Sequence, residues 1–409
     1  MTNIAHEVTK IYVGKPLLPS GYTEVEYLQN DGIGYIDSGV SFSSSLKIEA
    51  DFQFIEYQRG FESWVAGTWN TDGGIHIGLS HDGIPTASNG TISQTTDCFV
   101  RTTGTALQTS GYTSTTTNNI YIFTENSASK KLSSSGIIKL YSLKIYDNTT
   151  LLKSFVPCYR DLDNALGMYD TVDNTFYSPT YNIPSNYERV EYIESTGTQY
   201  IETNYVGDNT TGFYTKFNTA NSLTTDVTLS GSIFGSRDNS SKLYVLQTYT
   251  SEPETMRGSL AIANQSYDAK IIPSSLIKLT HSAADALLTR TDGTSISTVE
   301  GNKGTSSKLL FAFKRWNQGS PQAYLLSSTK MYQFIFYENY NSVHEYIPVI
   351  DLQNNNKPGL YDIIGEEFLV NGDTEGDDFL VSTNEAPKFI AGPVMPSVAR
   401  RVVKVYAGV

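Results

Sequence analysis

The chain has 409 residues, among them 44 Ser, 45 Thr and 28 Tyr, against only 2 Cys, 5 Met and 3 Trp. Charged residues make up 17% and hydrophobic ones 39%, a balance that excludes a mainly disordered chain, and no run of about 18 apolar residues exists that would predict a membrane-spanning helix. With 29 basic and 42 acidic side chains the net charge is −13, which excludes broad nucleic-acid binding by the body of the protein.

Thr, Tyr, Val and Ile favour half-buried pleated surfaces and Ser, Gly and Asn favour turns, so an all-β fold is expected. The start, MTNIAHEVTK, has no apolar h-region, so no secretory signal is read there and maturation in a reducing cytoplasm is expected. AHEVTKIYVG (5–14) has the β-branched and aromatic residues of a short strand ending in a Gly turn. It resembles ARRVVKVYAG (399–408), with Ala5, Val8, Lys10, Tyr12 and Gly14 matching Ala399, Val402, Lys404, Tyr406 and Gly408. Residues 1–18 carry +1 and residues 386–409 carry +4, which leaves −18 between them. Basic, mutually similar ends on an acidic body predict anchoring through Val8, Lys10, Tyr12, Arg400, Arg401, Lys404 and Tyr406.

Between the ends the chain repeats itself. PSGYTEVEYLQNDGIGYIDSG (from Pro19) and PSNYERVEYIESTGTQYIETN (from Pro184) share nine of 21 positions at a constant offset of 165. LKIEADFQFIE (46–56) alternates Leu46, Ile48, Ala50, Phe52 and Phe54 with polar residues, a strand with one buried face. Glu49, Asp51 and Gln53 on its other face have the spacing of a glycosidase carboxylate set with the third acid missing, and Tyr214, Lys216 and Asn218 stand at the aligned positions. A solvent-facing strand side is the preferred reading. ESWVAGTWNTDGG contains Trp64, expected in the core, and Trp69, a candidate sugar platform. His76 and His81, near Asp72 and Asp82, fit a surface hairpin better than a metal site. Residues 101–119 read as loops with short strands. No GxSxG elbow and no phosphate-binding GxxxxGK[ST] loop occurs.

KLYSLKIYDNTTLLKSFVPCYRDLDNALGMYD (139–170) is matched by KMYQFIFYENYNSVHEYIPVIDLQNNNKPGLYD (330–362) at an offset of 191–192, so the second unit carries about 26 extra residues in its middle. Cys158 faces Val349 in this alignment and is expected to be a buried small hydrophobe. DLDN (161–164) reads as a turn whose counterpart keeps Asp351. SAADALL (282–288) is the best helix candidate, and Trp316, in FKRWNQGS, is a second candidate sugar platform. Tyrosines retained in both copies imply shared packing.

LPSGYTEVEYLQNDGIGYID, IIKLYSLKIYD and FVPCYRDLDNALGMYDTVDNTFY resemble the laminin-G-like, concanavalin A-like jelly-roll domain of phage and prophage structural proteins, and the resemblance covers both units. It implies two tandem jelly-roll sandwiches at 19–181 and 184–385, flanked by assembly motifs at 1–18 and 386–409. It further implies a non-enzymatic virion protein, a head-fibre, decoration, tail-fibre or baseplate component assembled in the host cytoplasm and exposed outside the cell. Other virion proteins, further copies of the chain and a host-surface glycan are the implied partners, with no nucleic acid and no membrane insertion. A bacterial or prophage-encoded carbohydrate-binding adhesin is the alternative, and a glycosidase the third reading. No cofactor is required. Laminin-G-like domains can hold Ca2+ through Asp and backbone carbonyls, which makes Asp161 and Asp163 candidate ligands.

Overall fold

The computed structural model describes residues 7–12, 18–58, 61–70, 73–108, 118–127, 130–131, 136–207, 210–219, 232–239, 242–248, 255–259, 267–270, 276–282, 287–290, 295–298, 311–313, 315–317, 320–322, 329–338, 341–374, 376–395 and 401–406. Among the described residues there is no helix. The candidate helix at 282–288 is replaced at both described ends, because Ser282 closes the strand Ile277–Ser282 and Leu287 opens the strand Leu287–Arg290. These two strands pair antiparallel instead, with the β-branched Thr280 opposite Thr289.

The alternation read in residues 46–56 is realised: Leu46, Ile48, Ala50, Phe52 and Phe54 are buried in the strand Leu46–Glu56. That strand lies between Ile137–Asp147 and Thr102–Leu107 in a ten-stranded sheet. A seven-stranded sheet built on Ser63–Asn70 and Gly73–Leu79 closes the other side. Ile48, Phe52, Phe54, Ile75, Ile77, Ile122 and Leu143 meet in the shared core, each worth roughly 1.5–3 kcal/mol on burial. The chain then builds a second pair of sheets, of eleven and eight strands, around Phe213, Phe217, Phe234, Phe334, Phe336 and Tyr346. The fold is all-β, two sandwiches in tandem.

Strand register explains most of what the two copies share. Glu49 and Tyr214 occupy equivalent positions, since Ala50 pairs with Leu143 as Thr215 pairs with Phe334. Cys158 opposes Glu24 as Val349 opposes Arg189. The offset is 168 at Val65 and Ile233, whose carbonyls accept from Phe123 and Phe313, and 190 at those two phenylalanines, so most of the extra length of the second unit falls between these points. One alignment is corrected. Arg160 opposes Tyr22 while Asp351 opposes Tyr187, so Asp351 stands where the first copy has Arg160 and no acid of DLDN is retained.

The retained Gly-x-Tyr-Asp signature is a capping device. The buried Asp170 accepts hydrogen bonds from the Ser154 and Val172 amides, and Asp362 accepts them from Glu345 and Ile364. Lys153 pairs with Asp170 at 3.2 Å, and His344 pairs with Asp362 at the equivalent place. Tyr22 packs on Tyr169 and Tyr187 on Tyr361, with ring centroids 4.7 and 5.1 Å apart. Lys139 over Tyr27 and Lys330 over Tyr192 sit at the same 4.3 Å. These tyrosines serve packing, as expected.

A further duplication appears only in the register. The strand Leu380–Val381 closes the edge of the second sandwich by pairing with Ile193–Ser195, and Ser382 donates to the Tyr192 carbonyl. The strand Ile390–Ala391 crosses back to the first sandwich, pairs with Leu28–Gln29, and Gly392 donates to the Tyr27 carbonyl. Phe379 packs against Phe313 and Phe389 against Phe123, with centroids 4.9 and 5.2 Å apart. Residues 379–382 and 389–392 thus do the same work ten positions apart, one for each sandwich. Phe389 belongs to the core of the first sandwich, so residues beyond 385 are more than an anchoring tail.

The two sandwiches meet in a defined interface. Phe61 stacks on Tyr337 at 3.5 Å and 16°, and the Tyr337 hydroxyl donates to Gln58 at 2.7 Å. Lys278 pairs with Glu56, and Arg189 reaches Asp31 at 2.9 Å. The terminal motifs form the strands Glu7–Tyr12 and Arg401–Tyr406, which pair antiparallel with each other, Val8 opposite Val405 and Tyr12 opposite Arg401.

Both cysteines are free and buried. Burial pushes the Cys98 thiol up to about 11 and the Cys158 thiol up to about 12, which suppresses the reactive thiolate. A thiol reagent at pH 8 is therefore expected to label neither cysteine in the folded protein and both in urea, read by mass spectrometry. Rapid labelling of Cys158 in the native state would refute its packing role.

Candidate functional site

The most distinctive surface feature lies on the outer face of the seven-stranded sheet. In the hairpin of Ser63–Asn70 and Gly73–Leu79, Ala66 opposes Ile77 and Thr68 opposes Ile75, and both isoleucines enter the core. Side chains alternate across a strand, so Trp64, Gly67 and Trp69 with their partners Gly78, His76 and Gly74 face away from the core. The three glycines make room for flat rings. A Cβ at Gly78 would lie 2.8 Å from Trp64 Cε3, one at Gly74 2.9 Å from Trp69 Cε3, and one at Gly67 2.7 Å from His76 Cβ. The result is a row of three rings lying on the sheet: Trp64 and His76 centroids are 3.9 Å apart, and His76 and Trp69 centroids 5.4 Å.

Carboxylates border this row. His76 Nδ1 lies 3.1 Å from Glu125 Oε1, and Glu125 is itself buried. Burial first, and the nearby Glu125 charge second, raise the Glu62 carboxyl above its ordinary value. Trp69 is 40% exposed, whereas Trp64 is 5% exposed. Trp64 is buried as expected, but beneath His76 on the outer face rather than between the sheets. An exposed indole beside a histidine and an acceptor carboxylate offers a flat apolar face to a sugar ring and polar atoms to its hydroxyls.

The row is confined to the first copy. Through the shared register, Ser232, Arg237, Val245 and Arg315 stand in the second sandwich where the first has Trp64, Trp69, His76 and Glu125. The Tyr–Tyr contacts and the Asp170 and Asp362 turns recur in both copies, and this row does not. From the sequence, Trp69 is a candidate sugar platform, while its partners Trp64 and His76 are expected in the core and in a surface hairpin, apart from it. Their signal was GGIHIGL, whose alternate residues Gly74, His76 and Gly78 leave two bare positions for indoles.

The other candidate residues fall elsewhere. Trp316 lies in the strand Arg315–Asn317, opposite Ser236 and Pro321. Asp161 accepts from the Thr23 hydroxyl at 2.7 Å. Asp163 is held in a two-pronged pair by Arg160 at 3.0 and 2.6 Å, which lowers its carboxyl to about 2. Asp163 is thus held within its own turn, whereas Asp161 ties that turn to the strand Tyr22–Glu24, and among the described residues no group of three or more His, Cys, Asp or Glu could hold a metal ion. His81 lies beside Asp82 at 3.5 Å, within the predicted hairpin region, while Asp72 lies outside the described residues. So does Arg400. Val8, Lys10 and Tyr12 are brought opposite Val405, Val403 and Arg401, and Lys404 and Tyr406 opposite Thr9 and Glu7.

Glu49 and Asp51 line a shallow polar cleft of about 430 Å³ with Ser93, Thr103 and Lys144. Burial raises the Glu49 carboxyl, but the hydrogen bonds from Lys47 and Tyr146 outweigh it and the net shift is downward. Arg101 grips Asp51 through two bonds of 2.9 and 2.7 Å and stacks on Tyr141 at 3.6 Å. Gln53 donates to the Phe99 carbonyl and accepts from Tyr141. A depressed acid, a clamped acid and an amide do not make an acid/base pair.

No protein-family model matches the chain, and no curated protein sequence matches it. Among solved structures, it is similar to a Bacteroides ovatus protein described provisionally as carbohydrate-binding, at 10% identity and a TM-score of 0.36, over 93% of this chain and 99% of that one. It is also similar to the full extracellular region of zebrafish Gpr126/Adgrg6, at 8% identity and a TM-score of 0.29, over 92% of this chain and 41% of that one.

Proposed function

We propose that the chain is a non-enzymatic structural protein of a bacteriophage particle, whose first sandwich binds a host-surface glycan across Trp69 and His76 and whose paired termini attach it to other virion proteins. The observation that carries the glycan part is the Trp64–His76–Trp69 row, laid over three glycines and absent from the second copy. The phage setting is supported by the resemblance of both units to jelly-roll domains of phage structural proteins. The absence of catalysis is supported by the paired states of Glu49 and Asp51.

Glycan-array binding tests the site. Trp69→Ala is expected to weaken binding at least about tenfold, about 1.4 kcal/mol, with the fold unchanged by circular dichroism. Unchanged binding, or no glycan retained by the unaltered chain, overturns the site. Negative-stain microscopy of particles carrying a labelled copy tests the setting. Glycan binding without particle association would favour an adhesin.

A further inference from the structure

The first sandwich is completed by a segment that arrives from the far end of the chain. Residues 389–395 supply the strand Ile390–Ala391 beside Leu28–Gln29, the Val25–Val394 bridge and the Phe389 ring in the core. Three backbone hydrogen bonds, one bridge and two ladder pairs hold this segment along residues 24–29, including Glu26 N–H to the Pro393 carbonyl at 2.8 Å and Met395 N–H to the Glu24 carbonyl at 2.9 Å. The receiving surface is shaped for it: a Cβ at Gly34 would lie 2.5 Å from Phe389 Cε2.

The second sandwich receives the equivalent segment, 379–385, from its own end without a crossing. Between the two segments lie only Ala386, Pro387 and Lys388. Pro387 fixes its own φ and has no amide to donate. These three residues border a cleft of about 840 Å³ between the sandwiches, with Tyr181, Tyr187 and Leu352 on its walls. The crossing is therefore short and stiff, with Ala386 buried and Pro387 and Lys388 exposed, and a short, stiff connection is the situation in which an element is exchanged between chains at little cost. Every contact beyond the hinge is kept when a neighbour supplies the segment. The segment also exposes Ile390, Val394 and Met395, at 53%, 56% and 40%, an apolar strip at the edge where a second chain would lie. The strand Arg401–Tyr406 would travel with it and pair with the neighbour's Glu7–Tyr12. A two-stranded ribbon alone is marginal in water, so both ends gain from a larger assembly.

We propose that the strands Ile390–Ala391 and Arg401–Tyr406, with Phe389 and residues 392–395, are exchanged between copies, so that one chain completes the first sandwich of the next. This stands apart from the glycan reading and needs no ligand. Gln29 and Ile390 are direct cross-strand partners, and the Cα spacing of such partners, about 4.5–5.5 Å, suits a disulfide. Two differently tagged full-length chains, one with Gln29→Cys and one with Ile390→Cys, are co-expressed and oxidised. The expected product is a disulfide-linked species carrying both tags, lost on reduction. The double variant on a single chain is the control for folding and register. Cross-linking within single chains of the double variant, with none between the tagged chains, overturns the proposal. Failure of both cross-links overturns it too, because the pairing of residues 29 and 390 would then be absent. The native cysteines are buried and do not compete.

Discussion

Phe389→Ala is expected to unfold the first sandwich well before the second. Phe389 is 6% exposed, meets Phe123 edge-on, and fills the space that Gly34 leaves. Truncating a buried Phe costs about 3–5 kcal/mol, a large part of the 5–15 kcal/mol that holds a typical domain. With a urea slope of about 2–3 kcal/mol/M, the midpoint of the first sandwich should fall by roughly 1–2 M. Trp64 and Trp69 report on that sandwich once Trp316 is replaced by Phe. Phe379→Ala should reverse the order, since Phe379 is 4% exposed against Phe313 in the second sandwich. A first-sandwich midpoint unmoved by Phe389→Ala would show that the crossing segment is not part of its core.

That dependence was hidden in the sequence for a physical reason. Residues 379–385 (FLVSTNE) and 389–395 (FIAGPVM) share only their leading Phe, because an edge strand is held through its backbone and needs one anchor rather than a motif. By contrast, Leu46 to Phe54 announced their strand through strict alternation, which a half-buried sheet face demands. Tyr22, Tyr169 and Asp170 recur at Tyr187, Tyr361 and Asp362 because the same turn and the same ring contact are built twice. The ring row was half legible. Trp69 stood out as an aromatic near a turn, whereas Glu125 reaches His76 across 49 residues of sequence and carries no local signal. The expectation for Asp351 failed because DLDN and DLQN look alike as strings while the ladder sets them one residue apart.

Arg189→Ala is the second change expected to cost heavily, about 3–5 kcal/mol, because it strands a buried carboxylate. The Asp31 side chain is fully buried. Its Oδ1 accepts the Ile33 and Gly34 amides, and its Oδ2 accepts the Tyr181 hydroxyl and Arg189 Nη1, both at 2.9 Å. Arg189 also lies over the Tyr181 ring at 4.7 Å. Asp31 belongs to the first sandwich and Arg189 to the second, so the pair ties one to the other. At the offset of 165, Thr196 and Glu24 stand at the equivalent positions, so this bond, like the ring row, is absent from the general plan of the unit. If the cost comes from the stranded charge, Asp31→Asn together with Arg189→Met should recover most of it, since an amide oxygen still accepts the two backbone amides. A double variant as unstable as Arg189→Ala would instead locate the cost in lost packing against Tyr181. Recovery of stability with loss of the fixed angle between sandwiches, read by small-angle scattering, would show that the pair sets geometry: it holds the first sandwich, with its ring row, at one orientation to the second.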